Sequence, residues 1–171
     1  MTKTYILVFL ILICTQVNFA QKQIKIVQPK VEFDIKQATE MLNEGSSTIN
    51  GVAYYEDRAP IGIKIGDTWY ARAGTKVFLY PHTAYIEEYL QLKKKNKEGK
   101  RLATISPLAN CYRIESKVYS QKGEFVFTGL KQGKYYLETI ISENMRTYEV
   151  SGIVEIKTDK EVVEYKLKHI Y

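Results

Sequence analysis

Enzyme chemistry in this chain would have to be assembled from few parts: His82 and His169, Cys111, Ser106 and the adjacent carboxylates Glu87 and Glu88. A zinc centre needs three or four converging His, Cys or carboxylate ligands. His82 and His169 lie far apart with no ligand-spaced neighbour, so no metal and no cofactor is expected. "TISPLANCYR" (104–113) sets Ser106 and Cys111 in a loop before a strand, without a G-x-S-x-G elbow or a base at a set spacing. Glu87 and Glu88 are neighbours on a helical pattern and point in different directions, which makes no acid–base dyad. A glycine-rich phosphate cradle is also missing. The chain reads as a non-enzyme.

Binding chemistry is better represented. Fourteen tyrosines invite a sugar-stacking reading, but strands favour tyrosine anyway, and Tyr135, Tyr148 and Tyr165 fall in core phase. Trp69 and Tyr70, in the turn-rich stretch 56–75, are the aromatic residues expected to be exposed. "KKKNKEGKR" (93–101) holds six basic residues against one Glu, while charges elsewhere nearly cancel within the net +6. Lys93, Lys94, Lys95 and Arg101 therefore form a candidate contact patch for an acidic surface, beside the plainer reading as a solvated helix end. No aromatic residue interleaves with these lysines, so nucleic acid is not an expected partner.

Two helices and a series of strands must position these residues. Asp34 with Gln37 makes a capping pair, Ile35, Ala38 and Leu42 share a face, and Gly45 closes a helix over 34–45. A second helix spans 83–99, capped by Thr83, with Tyr85, Ile86, Tyr89 and Leu92 as its stripe and lysines in its last turns. From Ser47 the period is otherwise two. Ile49, Gly51, Ala53 and Tyr55 alternate with polar positions, and Val77 and Leu79 do so before Pro81. Tyr112, Ile114 and Val118 follow the same pattern over 112–120, as do Tyr148, Val150, Val154 and Ile156, and then Val163, Tyr165 and Leu167. Such alternation marks antiparallel strands with one wet face, and this many short strands pack most cheaply as a two-sheet sandwich.

The N-terminus places the protein outside the cytoplasm. Lys3 and the ten-residue apolar run "YILVFLILIC" (5–14) make a signal peptide with cleavage after Ala20, since a membrane span needs about 20 apolar residues. Ile13 before Cys14 disfavours a lipoprotein. Domains are then 1–20 signal peptide, 21–46 an extension with a short helix, and 47–171 the sandwich. The mature chain carries no transmembrane segment and one cysteine, Cys111, so packing alone holds it, and Cys111 is expected as a small buried hydrophobe. Periplasm, cell surface or medium all fit. Exposed strand edges would permit edge pairing, though no residue requires a second copy.

In "GEFVFTGLKQGKYYLETI" (123–140), Phe125, Phe127, Leu130, Tyr135 and Leu137 face inward, while Glu124, Val126, Tyr136 and Glu138 face away, on a hairpin closed by Gly129 and Gly133. The segment 121–137 resembles the D-x-x-G-x-F-x-F-x-G-L-x-x-G-x-Y-x-L hairpin of carboxypeptidase regulatory-like domains, which are transthyretin-like sandwiches. Ser120 and Gln121 stand where that family carries its acidic residue. "STINGVAY" (47–54) and "AGTKVFLYPHTAY" (73–85) resemble the family's first and second strands, the latter in an uncharacterised bacterial branch. The resemblance runs from about Ser47 to the C-terminus. It implies an all-β, antiparallel two-sheet sandwich with one inserted helix, serving as a non-catalytic accessory or interaction domain at the cell envelope. A glycan- or peptide-binding module using 56–75 and 82–101 is the alternative. Two relatives are disfavoured. The hydroxyisourate hydrolases carry a C-terminal Tyr-Arg-Gly-Ser that this chain lacks. The isopeptide-forming pilin sandwiches use an Asn absent from 160–171.

Overall fold

The computed structural model describes residues 23–59, 61–143 and 145–169, without the His169 side chain. The expected signal peptide and Cys14 lie outside these residues. Among them, no helix is long and apolar enough to cross a membrane.

The strand-rich reading holds: the fold is an all-β sandwich of two four-stranded sheets. Sheet I is built around β2 (Ser47–Arg58), whose inner positions Ser47, Ile49, Gly51, Ala53 and Tyr55 are all buried. On one side β2 pairs antiparallel with β3 (Lys64–Tyr70) along its second half and with β7 (Glu124–Leu130) along its first. On the other side it pairs with β10 (Val162–His169). That pairing is parallel, Val162 opposite Thr48 through His169 opposite Tyr55, which a period of two cannot reveal. Sheet II runs β6 (Ile114–Lys117), β4 (Lys76–Pro81), β8 (Gly133–Glu143), β9 (Arg146–Ile156), all antiparallel.

One core fills the space between the sheets. Ile49, Phe125, Phe127 and Leu167 from sheet I meet Leu79, Leu137, Val150 and Ile156 from sheet II, with Tyr135 at the bottom. Phe125, Phe127, Leu130, Tyr135 and Leu137 are inward, as the alternation requires. They do not line a hairpin, however. β7 belongs to sheet I and β8 to sheet II, so the segment is an arch that carries the chain across the sandwich. Alternation toward a shared core looks the same for a hairpin and an arch. The crossing is tight: a Cβ on Gly45 would lie 2.2 Å from the Leu130 carbonyl oxygen. Gly51 leaves the space that the Phe125 ring occupies, 2.0 Å from where a Cβ would stand.

A third layer covers the outer face of sheet II. It contains β1 (Lys25–Val27) paired in parallel with β5 (Arg101–Ala103), α2 (Ala84–Lys93) and a short α3 (Pro107–Cys111), while α1 (Ile35–Leu42) packs Met41 and Leu42 against the inter-sheet core. Tyr80, Tyr85, Ile86, Tyr89, Ala109 and Tyr136 form its own apolar cluster. Tyr136 faces away from the sandwich core as expected, yet it is buried, because α2 lies over it. The first part of the extension joins this layer, with Phe33 packed on Tyr85 and Tyr112.

Several local expectations change. The Asp34 side chain accepts from the Gln37 N–H at 2.9 Å as read, but Ile35 is 44% exposed and Ala38 alone of the three is buried, because the C-terminal turn, through Met41 and Leu42, makes the contact with the core. The second helix stops at Lys93, where Lys94 closes it, and the backbone turns toward β5 through Gly99 at positive φ. Thr83 holds the N-cap position without a side-chain capping bond. Tyr112 lies before β6, and 107–111 is helical, capped by the Ser106 hydroxyl accepting from Ala109 N–H. Cys111 is exposed, since Ala109 fills the inward position of that turn.

Candidate functional site

Of the residues singled out for chemistry, Ser106, Glu88 and Glu87 are dispersed and make local contacts. Ser106 caps α3, and its N–H donates to the Tyr85 hydroxyl at 2.8 Å. Glu88 accepts from the Lys30 and Val31 N–H groups, tying the extension to α2. Glu87 turns the other way, accepting from Gln91 at 3.0 Å and lying 3.0 Å from His82 Nε2. No group of three or more His, Cys, Asp or Glu side chains suited to a metal occurs among the described residues.

The basic run separates into different roles. Lys93 is 18% exposed and points into the layer between α2 and sheet II. Its ammonium donates to the Tyr136 hydroxyl at 2.6 Å, pairs with Glu138 at 3.5 Å and with Glu149, and sits over the Tyr89 and Tyr136 rings. It belongs to an internal network, which corrects its placement in a surface patch. The network continues from Glu138 to the Tyr136 and Tyr80 hydroxyls, and Arg113 donates to Tyr80 and Asn110 while covering the Phe78 ring. Arg101 is also used locally, donating to the Leu92 carbonyl at the end of α2. Lys94 and Lys95 remain on the surface.

Burial explains the phenols of this network. The Tyr80 pKa is pushed up to about 12, by burial first and by the neighbouring Glu138 second. Burial and then Glu138 raise Tyr89 and Tyr136 still further. The neutral Tyr80 and Tyr136 phenols act as hydrogen-bond donors to Glu138, which lowers the cost of burying both partners.

Trp69 and Tyr70 part company because they are adjacent on a strand. Trp69 turns inward and stacks on Tyr55 at 5.5 Å, and Tyr55 stacks on Tyr148 at 3.9 Å. The Tyr55 hydroxyl donates to Asp57. Trp69 is therefore half-buried against one end of the core rather than exposed as expected. Tyr70 points outward, is 42% exposed and lies 5.9 Å from Tyr54 across the β2–β3 pair. These two rings stand on the outer face of sheet I, which Val52, Asn50 and Val126 share; Asn50, about 13 Å along β2 from Tyr54, donates to Glu164 at 2.8 Å.

A second feature is a cleft of about 390 Å³ between α2 and the outer face of β8 and β9. Glu87, Leu90, Gln91 and Lys94 wall it on the helix, and Ser151 and Ile153 on the strand. The sequence reading missed this cleft and the tyrosine–carboxylate network together. The signal was present in "FLYP" and "YYL", where consecutive apolar residues without alternation mark strands covered on both faces.

No family model and no curated protein matches this sequence. Among solved structures, a candidate carbohydrate-binding protein from Pseudomonas aeruginosa is similar over 84% of this chain and 100% of its own, with TM-score 0.57 and 20% identity. The full-length major pilin SpaD of Corynebacterium diphtheriae matches 80% of this chain and 33% of its own, with TM-score 0.35 and 13% identity. The first shows the sandwich fold.

Proposed function

We propose that this chain is an exported, non-enzymatic accessory domain of the carboxypeptidase regulatory-like type, working at the cell envelope by holding a glycan on the outer face of sheet I. The observation that carries this reading is the Tyr54–Tyr70 pair, with Tyr70 open to solvent on the sheet face that also carries the Asn50–Glu164 hydrogen bond. Aromatic rings and planar amide and carboxylate groups spread over one face offer an extended glycan both apolar surface and hydrogen-bond partners. The description of the Pseudomonas aeruginosa protein as carbohydrate-binding supports the ligand class. The non-enzymatic reading is supported by where other titratable groups go: Glu88, Glu138 and Lys93 serve structural contacts.

The test is a glycan array probed with the protein and with Tyr70→Ala. Because Tyr70 packs on the surface, the variant keeps its fold. Retention of a polysaccharide class that Tyr70→Ala loses is the expected result. Silence across the array overturns the glycan reading, and unchanged retention by Tyr70→Ala removes it from this face.

A further inference from the structure

The cleft beside α2 differs from the Tyr54–Tyr70 face in shape and in chemistry. Its volume of about 390 Å³ lies at the small end of the range for small-molecule sites, roughly 300–1,000 Å³, which suits one ring rather than a chain. Its walls alternate in character. Leu90 and Ile153 oppose each other across it, Ile153 being 44% exposed on the outer face of β9.

The polar groups are placed with spare capacity. Gln91 spends one amide N–H on Glu87, which leaves its second N–H and its carbonyl oxygen. Ser151 lies within hydrogen-bonding reach of the Tyr136 phenol, and its hydroxyl can both donate and accept. Glu87 accepts from Gln91 at 3.0 Å and lies 3.0 Å from His82 Nε2, with half of its side chain open to solvent. Charge is balanced at the mouth. Glu87 and Lys94 bring one charge of each sign to the helix wall, while Lys93 beneath is matched by Glu138 and Glu149. A polyanion gains little from such a site. A neutral ligand with both hydroxyls and an apolar C–H face matches it.

We propose that this cleft binds a single neutral hexopyranose ring, with Leu90 and Ile153 against its C–H face and Gln91, Glu87 and Ser151 on its hydroxyls. The inference rests on the glycan reading above for its ligand class, not for its location. A site built to hydrogen-bond hydroxyls discriminates strongly against analogues lacking them, because its own polar groups are then left unpaired.

The test is a titration of the isotope-labelled protein with the methyl glycosides of glucose, galactose and mannose, and with glucuronate, followed by amide chemical shifts. At least one neutral glycoside is expected to move the signals of Gln91, Ser151 and Ile153. Gln91→Ala and Ser151→Ala should each weaken its binding at least tenfold, Tyr70→Ala should leave it unchanged, and thermal melting should show that the variants remain folded. No shift at these residues with any neutral glycoside, or a response to glucuronate alone, overturns the inference. If the array shows Tyr70-dependent retention while the cleft stays silent, the glycan reading stands and the cleft assignment falls. Silence in both experiments removes both.

Discussion

Lys93→Met separates a surface lysine from an internal one. Methionine keeps most of the apolar stem, so the change removes the ammonium with little loss of packing. What it leaves behind is Glu138, itself 18% exposed, without its cation, and the Tyr136 hydroxyl without a donor that stood 2.6 Å away. Breaking a fully buried ion pair costs about 3–5 kcal/mol, and an exposed one about 0–1 kcal/mol. Glu149, at 48% exposure, belongs nearer the second case and Glu138 nearer the first, so about 2 kcal/mol is expected. For a domain of this size that lowers the melting temperature by about 4–8 °C. The control is the next residue: Lys94→Met, on the surface, should stay within about 0.5 kcal/mol. Thermal and urea melts of both variants, with Glu138→Gln and the double variant, complete a cycle whose coupling should reach about 1 kcal/mol. Equal, negligible effects for Lys93 and Lys94 would refute the internal network and return Lys93 to the surface patch.

Gly51→Ala should destabilise by about 1–3 kcal/mol in urea melts, because its Cβ meets the buried Phe125 ring, and Phe125→Leu in the same chain should recover part of that loss. Alkaline pH should unfold the protein through its phenols. Tyr80, Tyr89 and Tyr136 hold their protons in the folded state after the unfolded chain has begun to release them near 10.0. Their contribution is therefore complete below that pH and is lost as pH rises through about 12 and beyond. Melts between pH 9 and 12, read with tyrosinate absorbance, should show ionisation and unfolding together; free titration of all tyrosines in a folded protein would contradict the burial. Trp69→Ala should lower stability by about 3 kcal/mol or more by opening the Tyr55–Tyr148 stack, whereas Tyr70→Ala should leave the melt unchanged.

The sandwich core was legible because burial on one face writes itself into every second residue, as Phe125, Phe127, Tyr135 and Leu137 show. Pairing partners were not. The arch at 129–133 and the parallel β2–β10 pair depend on which sheet a strand joins, and alternation is blind to that. The helix stripe Tyr85, Ile86, Tyr89 was readable, but not that it lies on sheet II, so Tyr136 and Lys93 were both placed toward water. Trp69 and Tyr70 illustrate the same limit at single-residue scale. Adjacent residues on a strand must face opposite ways, and only the partner strand decides which of them is inside.

The claim that this protein acts by holding a sugar without altering it can be met in one measurement. The protein is incubated with the polysaccharide class the array selects, the complex is recovered, and the released saccharide is weighed by mass spectrometry. The account predicts retention that depends on Tyr70 and a saccharide of unchanged mass. A shortened product, or no retention at all, would contradict it.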